Sequence, residues 1–219
     1  MSAGRTTLLP LGGLGEIGLN CLAVETERDL LLVDCGLLFP RVEQPGVEYL
    51  IPDFQPILER RDKLRGVLLT HGHEDHVGAL PHLLRDLPVP VYGTRFTTAL
   101  VHRRLSEVGS SLAAHLHTVA AGAEVVLGEL RARFLPVAHS IPDACAVVLE
   151  TPGGWCCTVV TSPSIPSRQG GRPRTSGPWR SGVAAGWICC VATAPTPYTP
   201  VPPPPAAGSR RDSRAFSPR

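Results

Sequence analysis

The sequence predicts a layered α/β domain over residues 5–154, followed by a tail of different character. Three observations predict it. Up to residue 154, apolar stretches of strand length alternate with helical stripes. Hydrophobic residues make up 43% of the 219 residues and charged residues 18%, which is enough apolar material to bury a core. The composition then breaks near Gly153-Gly154. Residues 1–154 hold 13 Lys+Arg and 18 Asp+Glu, net −5; residues 155–219 hold 8 Arg and one acid, net +7, with 12 of the 23 prolines.

The elements follow in order. Thr7–Pro10 is a short apolar strand that runs into a glycine-dense turn, Leu11–Gly18. Leu19–Glu25 and Leu30–Asp34 read as two strands around the charged turn Glu27-Arg28-Asp29. Phe54, Ile57 and Leu58 have helical spacing, so a helix is expected to end near Asp62. Gly66–Thr70 is a buried strand. Leu80, Leu83, Leu84 and Leu87 form an i, i+3, i+4, i+7 stripe, a helix that Pro88 stops. Val89–Tyr92 is a strand and Arg95–Val108 a helix; Val125–Leu127, Ala132–Val137 and Ala144–Glu150 are strands. Beyond Gly154, Pro, Arg, Ser, Gly and Thr dominate around Trp155, Trp179 and Trp187, and Pro202–Pro205 is a polyproline run. No secondary structure is expected there, and the tail reads as disordered.

Several classes are excluded. The apolar runs are too short to span a bilayer. The start, Met1-Ser2-Ala3-Gly4-Arg5, lacks the apolar stretch of a signal peptide, so a cytoplasmic chain is expected. Cys21, Cys35 and Cys145 stand singly in apolar stretches, and Cys156-Cys157 and Cys189-Cys190 are adjacent pairs without C-x-x-C spacing. Neither a disulfide framework nor a cysteine-metal site follows.

The chemistry concentrates in Thr70-His71-Gly72-His73-Glu74-Asp75-His76, directly after a buried strand. A strand end opening into a turn lets alternate residues face one side. His71 and His73 can then share one ion, while Asp75 and His76, past the bend, reach a second. A solvated His-rich turn would be the plain reading of one or two histidines, but four potential ligands packed this densely point to metal. His139, at the end of another apolar strand, is placed to supply a third imidazole. Asp34, at the end of Leu30–Val33, is placed to orient a ligating histidine through its second ring nitrogen.

H-x-H-x-D-H is the signature of the metallo-β-lactamase fold. The surrounding segments resemble the ribonuclease J family: Leu11–Gly18 (LGGLGEIG), Val33–Pro40 (VDCGLLFP), Tyr49–Asp53 (YLIPD), Thr70–Leu80 (THGHEDHVGAL), Val89–Gly93 (VPVYG) and His139–Ala144 (HSIPDA). The fold so implied is an incomplete metallo-β-lactamase αββα sandwich. The resemblance implies a zinc-dependent ribonuclease acting as endonuclease and 5′–3′ exonuclease in RNA processing and decay, with RNA as substrate. It also implies frequent homo-oligomers and no membrane partner. By motif, His71, His73 and His139 would hold one zinc ion, and Asp75 and His76 the other. The pair would activate a water and stabilise charge on the scissile phosphate. Ser140 and the Gly12–Gly15 turn, Gly13 included, would lie near the substrate, with turn N–H groups facing phosphate oxygens.

The chain departs from that family after Thr151-Pro152-Gly153-Gly154. A bridging aspartate in an H-S/T-G-D-F strand, a nucleic-acid-clamping domain and a later histidine ligand are expected and not found. Back-translating Trp155–Ser162 and shifting by two bases permits Val-Leu-His-Ser-Gly-Asp-Phe. The same shift at Trp187–Pro195 permits Asp-Leu-Leu-Cys-Gly-Asp-Ser-Thr-Asn, which resembles a family segment. Residues 155–219 are therefore expected to be an out-of-frame translation. Ala144–Glu150 is expected to end as an unpaired edge, and the chain to be truncated, poorly folded and nearly inactive. Two other readings compete. One is a metallo-β-lactamase-fold hydrolase of a small ester or thioester, against which LGGLGEIG and HSIPDA argue. The other is an RNA-binding module with a basic tail, against which the lack of interleaved aromatics argues.

Overall fold

The computed structural model describes residues 4–159 and 187–192. Two β-sheets lie face to face, with helices on the outer side of the first. The first sheet has strands β1 (Thr7–Gly12), β2 (Cys21–Glu25), β3 (Leu30–Val33), β4 (Leu64–Leu68), β5 (Val91–Gly93) and β6 (Leu116–Thr118), in that spatial order. β1, β2 and β3 pair antiparallel; β3 to β6 pair parallel. The parallel strands need crossovers, and helices supply them: α1 (Gln55–Leu58), α2 (Glu74–Val77), α3 (Leu80–Asp86) and α4 (Arg95–Val108).

Side-chain alternation in β2 and β3 divides the interior. Cys21, Ala23, Leu30 and Leu32 face the helices and join Leu80, Leu83, Leu84, Val101 and Leu105. Leu22, Val24, Leu31 and Val33 face the other way. They meet Leu130, Ala132, Phe134, Cys145, Val147 and Leu149 of the second sheet, forming the inter-sheet core. That sheet contains β7 (Glu124–Leu127), β8 (Leu130–Pro136) and β9 (Cys145–Thr151), with β10 (Gly154–Val159) and β11 (Trp187–Ala192) beyond β9. Its outer face carries Arg131 and Arg133, both paired with Glu124. This is the expected partial sandwich: among the described residues, helices flank only the first sheet.

Some details differ from the sequence expectation. The unpaired edge foreseen at Ala144–Glu150 is not there, because β9 pairs antiparallel with β10, and β10 pairs parallel with β11. The low average order of the tail composition hides two short apolar runs, WCCTV and WICCVA, of strand-forming residues. The exposed ladder of β9 offers the first run a hydrogen-bonding partner, and that run in turn offers one to the second. The central strand begins two residues earlier than Gly66, and its end is set by Asp34, whose carboxylate takes the Thr70 N–H out of the ladder. α2 and β6 were not foreseen; four and three residues long, they are too short to show a period. The expectations of disorder and of an out-of-frame tail fall, for residues 160–186 and 193–219, outside the described residues.

Candidate metal centre

The centre is built where β3, β4 and the segment leading into β9 end together. β3 delivers Asp34, a buried residue with φ of 60°. β4 delivers Thr70 and His71, and the chain then turns into α2, which carries Asp75 and His76. The Cys145 N–H donates to the Thr70 carbonyl at 2.9 Å, tying the approach to β9, and with it the His139 segment, onto the end of β4.

The polar side chains form one connected set. Asp34 accepts from the Thr70 N–H at 2.8 Å and from the Thr70 hydroxyl at 2.8 Å. Its Oδ2 lies 2.8 Å from His76 Nδ1. A carboxylate only accepts, so His76 Nδ1 carries the proton and Nε2 keeps a lone pair. The Thr70 hydroxyl spends its hydrogen on Asp34, so at 2.9 Å it accepts from His71 Nδ1–H. His71 Nε2 is thereby left as a lone pair, and it points at His73 Nδ1, 2.9 Å away.

His139 completes the group. Its ring meets that of His71 edge-on at 4.5 Å between centroids, and that of His73 at 5.0 Å. One ligand atom from each of His71, His73 and His139 lies within 4.8 Å of the other two. His139 Nδ1 is buried and has no hydrogen-bond partner. Burial, reinforced by the neighbouring imidazoles, pushes the fully buried His71 down to about 2, so it is neutral at any working pH. Burial also lowers His73 and His139. Three neutral imidazoles converge, one of them with an orphaned nitrogen, and their lone pairs want a cation. The residues present fit a divalent ion of the zinc type, which takes nitrogen ligands in this number.

Asp75 and His76 stand beside this group. The rings of His76 and His71 are 4.0 Å apart, and Asp75 Oδ2 is 3.6 Å from His76 Nε2. Burial alone would lower His76, but Asp34 and then Asp75 outweigh it and raise its affinity for a proton. Ser140 is exposed next to His139. Gly13 has φ of 81°, and its N–H donates within its own turn to Glu16 at 3.4 Å. A Cβ at Gly13 would come within 2.7 Å of Asn20 Oδ1, so the turn seats the Asn20 amide.

Sequence reasoning missed Asn20, Thr70 and Glu74. Asn20 is buried and its Nδ2 reaches both Asp75 and His76. The available signal was a lone amide between a glycine turn and an apolar strand. Thr70 had no signal beyond preceding His71. Glu74 pairs with Arg104 through Oε1 at 3.3 Å, while its Oε2 is buried without a partner.

Comparison with known proteins bears on the family and the fold. Residues 30–164 match the beta-lactamase superfamily domain. Ribonuclease J2 of Bacillus subtilis is 36% identical over 152 residues, which is 69% of this chain and 27% of that protein. Ribonuclease J of Helicobacter pylori is 36% identical over 154 residues, 70% of this chain and 22% of that protein. The chain thus spans about a quarter of the length of the curated relatives it matches. Among solved structures, a metallo-beta-lactamase from Cronobacter sakazakii with a HARLDQ motif superposes with a TM-score of 0.53 at 16% identity, covering 82% of this chain and 76% of that one. Rm3 metallo-beta-lactamase gives 0.52 at 15%, covering 88% and 80%. At such identities the structures speak for the fold alone.

Proposed function

The chain belongs to the beta-lactamase superfamily, is related to ribonuclease J, and on that premise we propose that it is a metal-dependent ribonuclease of the ribonuclease J type. RNA is the substrate, zinc the cofactor and the cytoplasm the place of action. His71, His73 and His139 would hold one ion; Asp75 and His76 are what remains for a second, whose site is incomplete among the described residues of this chain. The observation that carries the reading is the convergence of three neutral imidazoles from THGHEDH and HSIPDA, two segments distant in sequence.

The chain's own residues do the positioning. Asp34 fixes the His76 ring and, through the Thr70 hydroxyl, the His71 ring, so both present Nε2 lone pairs. A divalent ion held by His71, His73 and His139 would supply an activated water and stabilise negative charge at phosphorus. Ser140, which is exposed, and the glycine turn before β2 would border the phosphodiester on the family resemblance.

The test compares 5′-monophosphorylated labelled RNA with a small thioester, each with added zinc. Because the second metal site is incomplete among the described residues of this chain, weak RNA cleavage that disappears in a His71→Ala variant is the expected result. Hydrolysis of the thioester with intact RNA would transfer the centre to another chemistry. Among the described residues no helix is long and apolar enough to cross a membrane.

A further inference from the structure

His139 sits in the loop between β8 and β9, and its Nδ1 is buried without a hydrogen-bond partner. Its ring is therefore placed by the backbone that carries it. The Val137 N–H donates to the Ala144 carbonyl at 3.0 Å and closes that loop. Asp143 then ties the loop to the N-terminus of α4. The Asp143 carboxylate accepts from the Phe96 N–H at 3.2 Å, and the Asp143 carbonyl accepts from the Thr94 hydroxyl at 2.8 Å. Thr94 stands just before α4, where a threonine hydroxyl ordinarily caps the first turn. It makes no such bond, and the first turn holds no acidic residue. Thr94 has given its hydroxyl to Asp143. Asp143 returns a carboxylate to the first turn, where orphan N–H groups and the helix dipole favour negative charge. Its φ of 58° is a left-handed conformation that Asp and Asn tolerate better than most residues.

We propose that Asp143 is a positioning residue: by capping α4 from outside, it anchors the His139 loop and sets the third imidazole beside His71 and His73. α4 is a firm reference for that purpose. Its Val101 and Leu105 lie in the same core as Val67 and Leu69, on the chain that leads directly into His71. A loop tied to α4 is thereby tied to His71. Asp143 is four residues from His139, and the intervening Pro142 limits how far that stretch can flex. Ile141 adds an apolar contact on the same side. A Cβ at Gly72, between His71 and His73, would lie 3.7 Å from Ile141 Cδ1 and 2.7 Å from Leu100 Cδ1 of α4. The inference rests on the proposed metal reading for its consequence in ion binding, but the contacts stand without it. A plain helix cap is the alternative. It would steady α4 and leave the His139 ring where it is.

Two variants of the full chain separate the readings. Asp143→Gly keeps the left-handed backbone without strain and removes the carboxylate. Asp143→Asn keeps the conformation and an oxygen that accepts from the Phe96 N–H. The first measurement uses metal-free protein. Nuclear Overhauser contacts between ring protons report His139 against His71 and His73, with centroids 4.5 and 5.0 Å apart, and His71 against His73 at 4.6 Å. All three contacts are expected in wild type and in Asp143→Asn. In Asp143→Gly both His139 contacts are expected to vanish while the His71–His73 contact persists. His139 contacts missing from wild type, kept in Asp143→Gly, or lost there together with the His71–His73 contact as in a general loosening, overturn the proposal. The second measurement is zinc affinity, by competition with a chromogenic chelator. It is expected to fall about tenfold or more in Asp143→Gly and to stay near wild type in Asp143→Asn. Equal affinity in Asp143→Gly and wild type overturns the proposal. A wild type that binds no zinc counts instead against the metal-dependent function, and the ring contacts then decide the role of Asp143.

Discussion

Asp34 Oδ2 stands 2.8 Å from His76 Nδ1, and the same carboxylate takes both the backbone N–H and the hydroxyl of Thr70. One buried side chain therefore sets the orientation of two histidines and ends the central strand.

Asp34→Ala leaves the Thr70 N–H and His76 Nδ1 buried without an acceptor. Removing one partner from such a set is expected to destabilise the fold by about 3–5 kcal/mol. Urea unfolding at neutral pH measures it. Asp34→Asn keeps the shape and is expected to unfold later than the alanine variant, with zinc affinity lowered by about ten- to a hundredfold. Equal midpoints for wild type and Asp34→Ala would show that the carboxylate does not organise the site.

Asp29 makes a second prediction, about acid stability. It lies in the β2–β3 turn, is 4% exposed, and accepts from the Arg65 guanidinium and from Glu129 N at 2.8 Å. Glu129 belongs to the β7–β8 turn, so this carboxylate joins the two sheets. Burial pushes its carboxyl up, but the Glu129 N–H and Arg65 outweigh that and hold it below its ordinary 3.8. The folded state thus prefers the ionised form. Its contribution is whole above 3.8 and is lost as pH falls through the lowered folded value. Asp29→Ala is expected to cost about 1–3 kcal/mol at pH 7, the range for an unsatisfied buried group, since Arg65 is partly exposed and can turn to water. The gap between variant and wild type should close in strong acid; a gap independent of pH sinks the assignment.

Gly36 is a test of how closely the β3 loop meets α2. A Cβ there would collide with the Asp75 carbonyl oxygen and come within 2.8 Å of His76 N, both backbone atoms that cannot move aside alone. Gly36→Ala is expected to destabilise by about 1–3 kcal/mol or more and to shift the amide resonances of Asp75 and His76 most. Unperturbed resonances at those two positions would mean that the contact is loose.

Much of this was legible in the sequence, and the reasons are physical. Leu30–Val33 is apolar on both faces because it is buried on both, and its alternate residues enter different cores. The histidine cluster was visible because ligands on one turn must be close in sequence. His139 by itself was a plain strand-end histidine and read as a third ligand only beside the cluster and the HSIPDA resemblance, since its approach to His71 is made by the second sheet packing on the first. Asn20 and Thr70 were invisible for the same reason: their roles lie in contacts with Asp75 and Asp34, which are 55 and 36 residues away. β10 and β11 were missed because a composition average over 155–219 conceals two six-residue strand-forming runs.

The last prediction separates a metal centre from a structural histidine cluster. If His71, His73 and His139 hold zinc in the folded state alone, zinc must raise the unfolding midpoint. At a free concentration of about a hundred times Kd the gain is about 2.7 kcal/mol. His139 is the informative position. It is half-buried, and its Nδ1 has no partner, so its removal breaks no hydrogen bond at that atom. His139→Ala is therefore expected to unfold within about 1 kcal/mol of wild type without metal, yet to lose most of the zinc-induced shift. Thermal unfolding with and without chelator, for both proteins, provides the comparison. A zinc shift retained in His139→Ala would place the ion elsewhere. A variant that unfolds far earlier than wild type even in chelator would make His139 part of the core, and the three-imidazole site would lose its third ligand.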